Sequence, residues 1–200
     1  METGRLEAFS DGVFAVAITL LVLNLGVPVR GSVLTGLADE WPEFAAFALS
    51  FVIIGIVWVN HHSVIRRLAR ADRVLLFVNL GLLMSVVIIP FATAMFSRYV
   101  TQGGTDSHVA AALFSAALLL MGLGFTGLYV WAALHPHLLK PGPPVELSWR
   151  TFFRFGAGTI GYAACIAVAF VSAQLVLVII AALAVYYVLD QFTTPEPAHR

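Results

Sequence analysis

The residues best equipped for chemistry gather near the start of the chain, in R-L-E-A-F-S-D-G over residues 5–12. Arg5, Glu7 and Asp11 place both signs of charge directly before an apolar run whose polar side chains are Thr19 and Asn24. Read locally, Ser10 or Asp11 caps a helix, with Asp11 at the positive end of its dipole and Phe9 and Phe14 forming a staple across the cap. Histidines are the other candidates: N-H-H at 60–62 and H-P-H at 135–137 hold four of the six. Imidazoles ligate metals, but a membrane di-metal enzyme needs them grouped more closely, with carboxylates beside them. They are read here as interfacial histidines, and no resident metal is expected. No Ser, His and acid arrangement points to a hydrolase, so no catalytic residue is assigned. Two segments fit G-x-G-x-x-G, at Gly122/Gly124/Gly127 and Gly156/Gly158/Gly161. Neither follows a strand in a βαβ unit, so they are read as small residues that let helices approach closely, and no cofactor is expected.

The elements that must position these residues follow from composition. Hydrophobic residues make up 60% of the chain and charged ones 11%, with a mean hydropathy of +0.93. A water-soluble domain of this size could not cover so much apolar surface. Charged residues bound the uncharged runs 12–29, 44–65, 74–97, 107–139 and 155–189. A crossing helix needs ~20 apolar residues, so the first four runs each suit one span and the last, divided near Ser172 to Gln174, suits two. The fold class expected is all-α: an integral membrane protein of six transmembrane helices and no soluble domain. The approximate spans are 6–27, 43–62, 74–97, 107–134, 148–171 and 175–192, with a short polar tail over 193–200. Glu2 and Glu7 offset Arg5, so the first run is read as a retained helix and not a secretory signal. The single Cys165 excludes an intramolecular disulfide. Zero formal net charge, without a basic stripe, excludes a nucleic-acid partner.

Basic residues in short loops stay on the cytoplasmic side. Arg66, Arg67, Arg70 and Arg73 lie between spans two and three, and Lys140, Arg150 and Arg154 between spans four and five. The opposite loops hold Arg30 and Arg98 beside Asp39, Glu40, Glu43 and Asp106. Both termini are therefore expected in the cytoplasm of a multi-pass protein of the cell membrane. At 100° per residue, Gly12, Val16, Thr19 and Leu23 fall within about 60° of arc, with Leu20 at the margin. Such a narrow uncharged stripe faces lipid, packs against another helix, or lines a path that gates by dewetting.

R-x-x-x-F-S-D at Arg5, Phe9, Ser10 and Asp11 resembles the signature of the transmembrane protein 175 family of potassium channels. Trp58 and His61 stand at that family's W-x-x-H spacing, and N-L at 79–80 and P-F at 90–91 extend the likeness over the first half of the chain. The resemblance implies a homotetramer of single six-helix units in the lipid bilayer, the first helix of each lining a central pore. It also implies a potassium-permeable cation channel in which apolar rings at Val16, Leu20 and Leu23 replace a carbonyl filter. The potassium ion holds its hydration shell more loosely than sodium and so passes a greasy collar more easily. Val16 stands where the family usually has isoleucine, and the smaller side chain widens the collar. Thr19 either helps to solvate the passing ion or bonds back to its own helix. Arg5, Phe9, Ser10, Asp11, Trp58 and His61 would form a polar network at the cytoplasmic end, with Asp11 paired to Arg5 or His61. The alternatives are a secondary ion transporter, which normally shows ionisable residues at the midplane, and a histidine-containing membrane enzyme.

Overall fold

A computed structural model describes residues 3–26, 32–142 and 149–193, with side chains over 3–26, 32–142 and 156–190. Arg30, the tail beyond Thr193, and the side chains of Arg150 and Arg154 lie outside the described residues. Among the described residues the chain forms seven α-helices and no strands. They are α1 (Thr3–Leu21), α2 (Val33–Asp39), α3 (Trp41–Arg66), α4 (Arg73–Tyr99), α5 (Gly104–Leu134), α6 (Trp149–Ala169) and α7 (Ala173–Thr193). Six are long, and the architecture is an all-helical integral membrane fold. Five carry apolar windows long enough to cross a bilayer, and α6 is apolar over Gly156–Ala169. The long uncharged run at the C-terminal end breaks at Phe170–Ser172, where Ser172 Oγ accepts from the Leu175 N–H and opens α7.

Three local features depart from simple hydropathy. First, α1 starts at Thr3, so Ser10 and Asp11 are interior to the helix and cap nothing. Phe14 is buried while Phe9 is 54% exposed, and no staple joins them. The cause is that Leu6 belongs to the core, which draws the preceding turns into the helix. Second, α1 tightens into a 3-10 turn over Val22–Asn24. Third, α2 is a short helix capped by Ser32, whose Oγ accepts from the Thr35 N–H, and it precedes α3.

The core runs through the whole bundle, from Leu6 and Phe14 on α1 to Val176 and Ile180 on α7. The α4–α5 and α5–α6 pairs are the most extensive, and α1 lies against α3 and α4. Gly124 explains how close α4 and α5 come. A methyl group there would sit 2.9 Å from the Leu82 Cα, closer than backbone can tolerate. At one end of the bundle the α3–α4 and α5–α6 connections pair, with the Ala69 and Lys140 N–H groups donating to the Leu138 and Arg67 carbonyls at 2.8 Å.

Candidate functional site

One face of α1 is made by the protein's own core. Leu6, Ser10, Phe14, Ala17 and Leu21 are buried, recurring every three or four residues. Ser10 is an anomaly in that row, and the fold satisfies it through α4. Asn79 Nδ2 donates to Ser10 Oγ at 3.1 Å, and Asn79 Oδ1 lies 2.7 Å from His61 Nε2 on α3. All three side chains are buried. An amide oxygen can only accept, so His61 Nε2 carries the proton. His61 Nδ1 is then the acceptor, buried without a hydrogen-bond partner. The Phe14 ring lies 5.3 Å from the imidazole. This triad locks the rotation of α1, because turning the helix would strand polar groups in an apolar core.

Beside the triad runs a two-rung ladder. Glu7 and Asp11 are one turn apart on α1, as are Trp58 and His62 on the antiparallel α3. Trp58 Nε1 donates to Asp11 Oδ1 at 2.8 Å, and His62 Nδ1 approaches Glu7 Oε1 at 3.3 Å. Asp11 therefore pairs with Trp58, not with Arg5 or His61 as its sequence neighbourhood led us to expect. The reason is helical phase: His61 faces inward to Asn79, while Arg5 lies on the opposite side of α1. Among the described residues Arg5 has no hydrogen bond or ion pair, and Phe9 is exposed like it. Of the six residues assigned to a cytoplasmic network, the structure joins Ser10 with His61 and Asp11 with Trp58. Arg5 and Phe9 fall on the face that carries the apolar stripe.

That second face is open. Among the described residues Val16 stays 56% and Leu23 75% exposed, with Leu20 at the margin at 38%. Its centre is about 140° around the helix from the buried row at 100° per residue. The 3-10 turn advances Leu23 by about 40° relative to an α-helical wheel, which still leaves it on this side. Thr19 Oγ1 donates to the Val16 carbonyl at 2.8 Å, so its proton is taken and its lone pairs face outward. At the far end Asn24 Nδ2 donates to the Pro90 carbonyl of α4 at 2.9 Å, and the Gly26 N–H to Glu43 at 2.9 Å.

Asn79 is the residue that sequence reasoning undervalued. It was visible as a polar residue inside an apolar run, and only as half of an N-L pair. Glu7 counted as charge balance and His62 as the second of two adjacent histidines. What would have exposed all three is the register of α1 against both α3 and α4, which no linear pattern encodes.

Fold and site define a multi-pass, all-helical membrane protein whose first helix is bolted to the bundle on one side and left apolar and uncovered on the other. The family profile described as endosomal/lysosomal potassium channel TMEM175 matches residues 5–90. The chain is 44% identical to a Streptomyces collinus protein named a potassium channel, over 97% of this chain and 95% of that one. A crystal structure described as a lysosomal potassium-selective channel TMEM175 homolog from Chamaesiphon minutus superposes with a TM-score of 0.81 at 35% identity. It covers 94% of this chain and 97% of that one. Animal relatives are longer: the Gallus gallus protein named endosomal/lysosomal proton channel TMEM175 is 34% identical over 51% of this chain and 23% of its own. The chain belongs to the TMEM175 family of ion channels.

Proposed function

We propose that the protein is a potassium-permeable channel of the cell membrane. It works as a homotetramer with α1 of each subunit around a central axis and both termini in the cytoplasm. The observation that carries this reading is the asymmetry of α1. The helix is fixed in rotation by Ser10, Asn79 and His61, yet among the described residues it leaves Val16, Leu20 and Leu23 exposed. Four such faces around an axis make stacked apolar rings. An ion crossing them must shed or carry water without replacement oxygens, which favours the weakly hydrated potassium ion. The Val16 ring is the widest of the three because its side chain is the smallest, and the Thr19 oxygens lie one turn from it. Arg5 and Phe9, on the same face, stand at the cytoplasmic entrance. Relatives named potassium channels, matched over nearly their whole length, support the choice of ion.

The test is flux from proteoliposomes under a potassium gradient clamped by ionophore, with sodium, potassium and proton arms run in parallel. Voltage-driven potassium flux that does not saturate or require a co-ion is the expected result. Coupled, saturating flux would mean a transporter, and no flux would end the channel reading. Because the animal relatives carry the name proton channel, proton flux is the second reading. A pH-sensitive dye inside the same vesicles distinguishes it.

A further inference from the structure

We infer that Glu7, Asp11 and His62 form a binding site for a divalent first-row transition metal, of the zinc or cobalt class, that staples α1 to α3. One ligand atom from each of the three lies within 4.8 Å of the others, and the His62 and Glu7 atoms are already 3.3 Å apart. Three donors around a Zn2+ at bond lengths of about 2.0–2.2 Å sit roughly as close together as the His62 and Glu7 atoms, so small side-chain rotations bring the three onto one ion. The side chains of Glu7 and His62 are about two-thirds buried, at 31% and 33% exposure. Water therefore competes from one side and leaves the open coordination positions accessible. His62 Nδ1 is buried, makes no hydrogen bond of proper geometry and faces the Glu7 carboxylate, so in the tautomer protonated at Nε2 it offers a lone pair to an ion.

Donor chemistry narrows the ion. An imidazole with two carboxylates suits zinc, cobalt or nickel better than potassium or magnesium. Charge balances as well: two carboxylates and a neutral imidazole take up a divalent cation with no net charge left near the membrane, whereas the empty site holds two anions a turn apart. Trp58 supplies the outer support. Its N–H donation to Asp11 Oδ1 fixes that carboxylate and leaves the other oxygen for the metal, as outer partners of metal ligands do. The site is separate from the apolar face, so it regulates or rigidifies α1 without contributing to the proposed pore rings.

Titration of the full-length protein in detergent with Zn2+ by calorimetry, and with Co2+ by visible absorption, reads binding with no need for conduction. The expected result is about one ion per chain, with a d–d band for Co2+ and a raised unfolding temperature. His62→Ala and Glu7→Gln should each abolish the stoichiometric site, Trp58→Phe should weaken it by about 10- to 100-fold, and His108→Ala should leave it intact. No binding, or binding that survives both His62→Ala and Glu7→Gln, overturns the assignment. If His62→Ala does not purify as the wild-type oligomer, Glu7→Gln alone decides.

Discussion

The two faces of the first helix obey different rules. The inner face, Leu6 to Leu21, is built from residues that meet partners within the chain, and even its serine is hydrogen-bonded. The outer face, Phe9 to Leu23, is also apolar and stays exposed among the described residues. In a bilayer hydrophobicity alone does not distinguish a packed side from an open one, since lipid is as apolar as leucine. What distinguishes them is polar chemistry: Ser10 meets Asn79 on α4, and Glu7 and Asp11 meet His62 and Trp58 on α3. Polar residues thus act as rotational locks, and the apolar residues they leave outside are free to be used.

Substitutions on the inner face should damage the fold, and those on the outer face should damage transport. The largest effect is expected for Phe14→Ala, which empties a fully buried site and should cost about 3–5 kcal/mol of stability, measured as a fall in the unfolding temperature of the detergent-solubilised protein. Leu23→Ala removes apolar bulk, about half that lost in Phe14→Ala, at a position that is 75% exposed. It should leave each subunit's fold within about 0.5 kcal/mol while raising flux and bringing the potassium-to-sodium ratio toward one. An equal loss of subunit stability in both would erase the distinction. Asn79→Ala is the intermediate case, expected to cost about 1 kcal/mol, since interhelical hydrogen bonds in membranes average ~0.6 and reach ~1.7. A change in flux larger than the stability change predicts would show that rotation of α1 sets the open face. Val16→Ile adds one methylene to the widest ring and should move preference toward potassium by a few-fold at most, with stability unchanged. Unchanged or reversed preference in bilayer recordings removes Val16 from the constriction.

The smallest effect concerns pH and a residue on neither face. The Leu75 backbone N–H at 2.8 Å, aided by the Trp131 indole, holds the Asp72 carboxyl below the usual carboxylate range at the start of α4. A group depressed in the folded state stabilises fully above its unfolded pKa, near 4, and that contribution fades as pH falls through the lower folded value. Stability should therefore dip modestly below about pH 4 in wild type and less in Asp72→Asn, as followed by unfolding temperature against pH.

The sequence by itself determined the solvent and the helical class, because uncharged runs of ~20 residues have no other stable form in a bilayer. It also marked the stripe at Val16, Leu20 and Leu23, because a helix repeats every 3.6 residues whatever surrounds it. The start of α1 at Thr3, ahead of the apolar run, was hidden, since Leu6 could not be known to reach the core. Only the tertiary structure decided which polar groups meet: that Asp11 takes Trp58 and His61 takes Asn79, with Glu7 opposite His62 and Arg5 alone outside. Partner choice depends on the register and rotation of one helix against another. Those are fixed by the packing of the whole bundle and leave no trace in the spacing of residues along the chain.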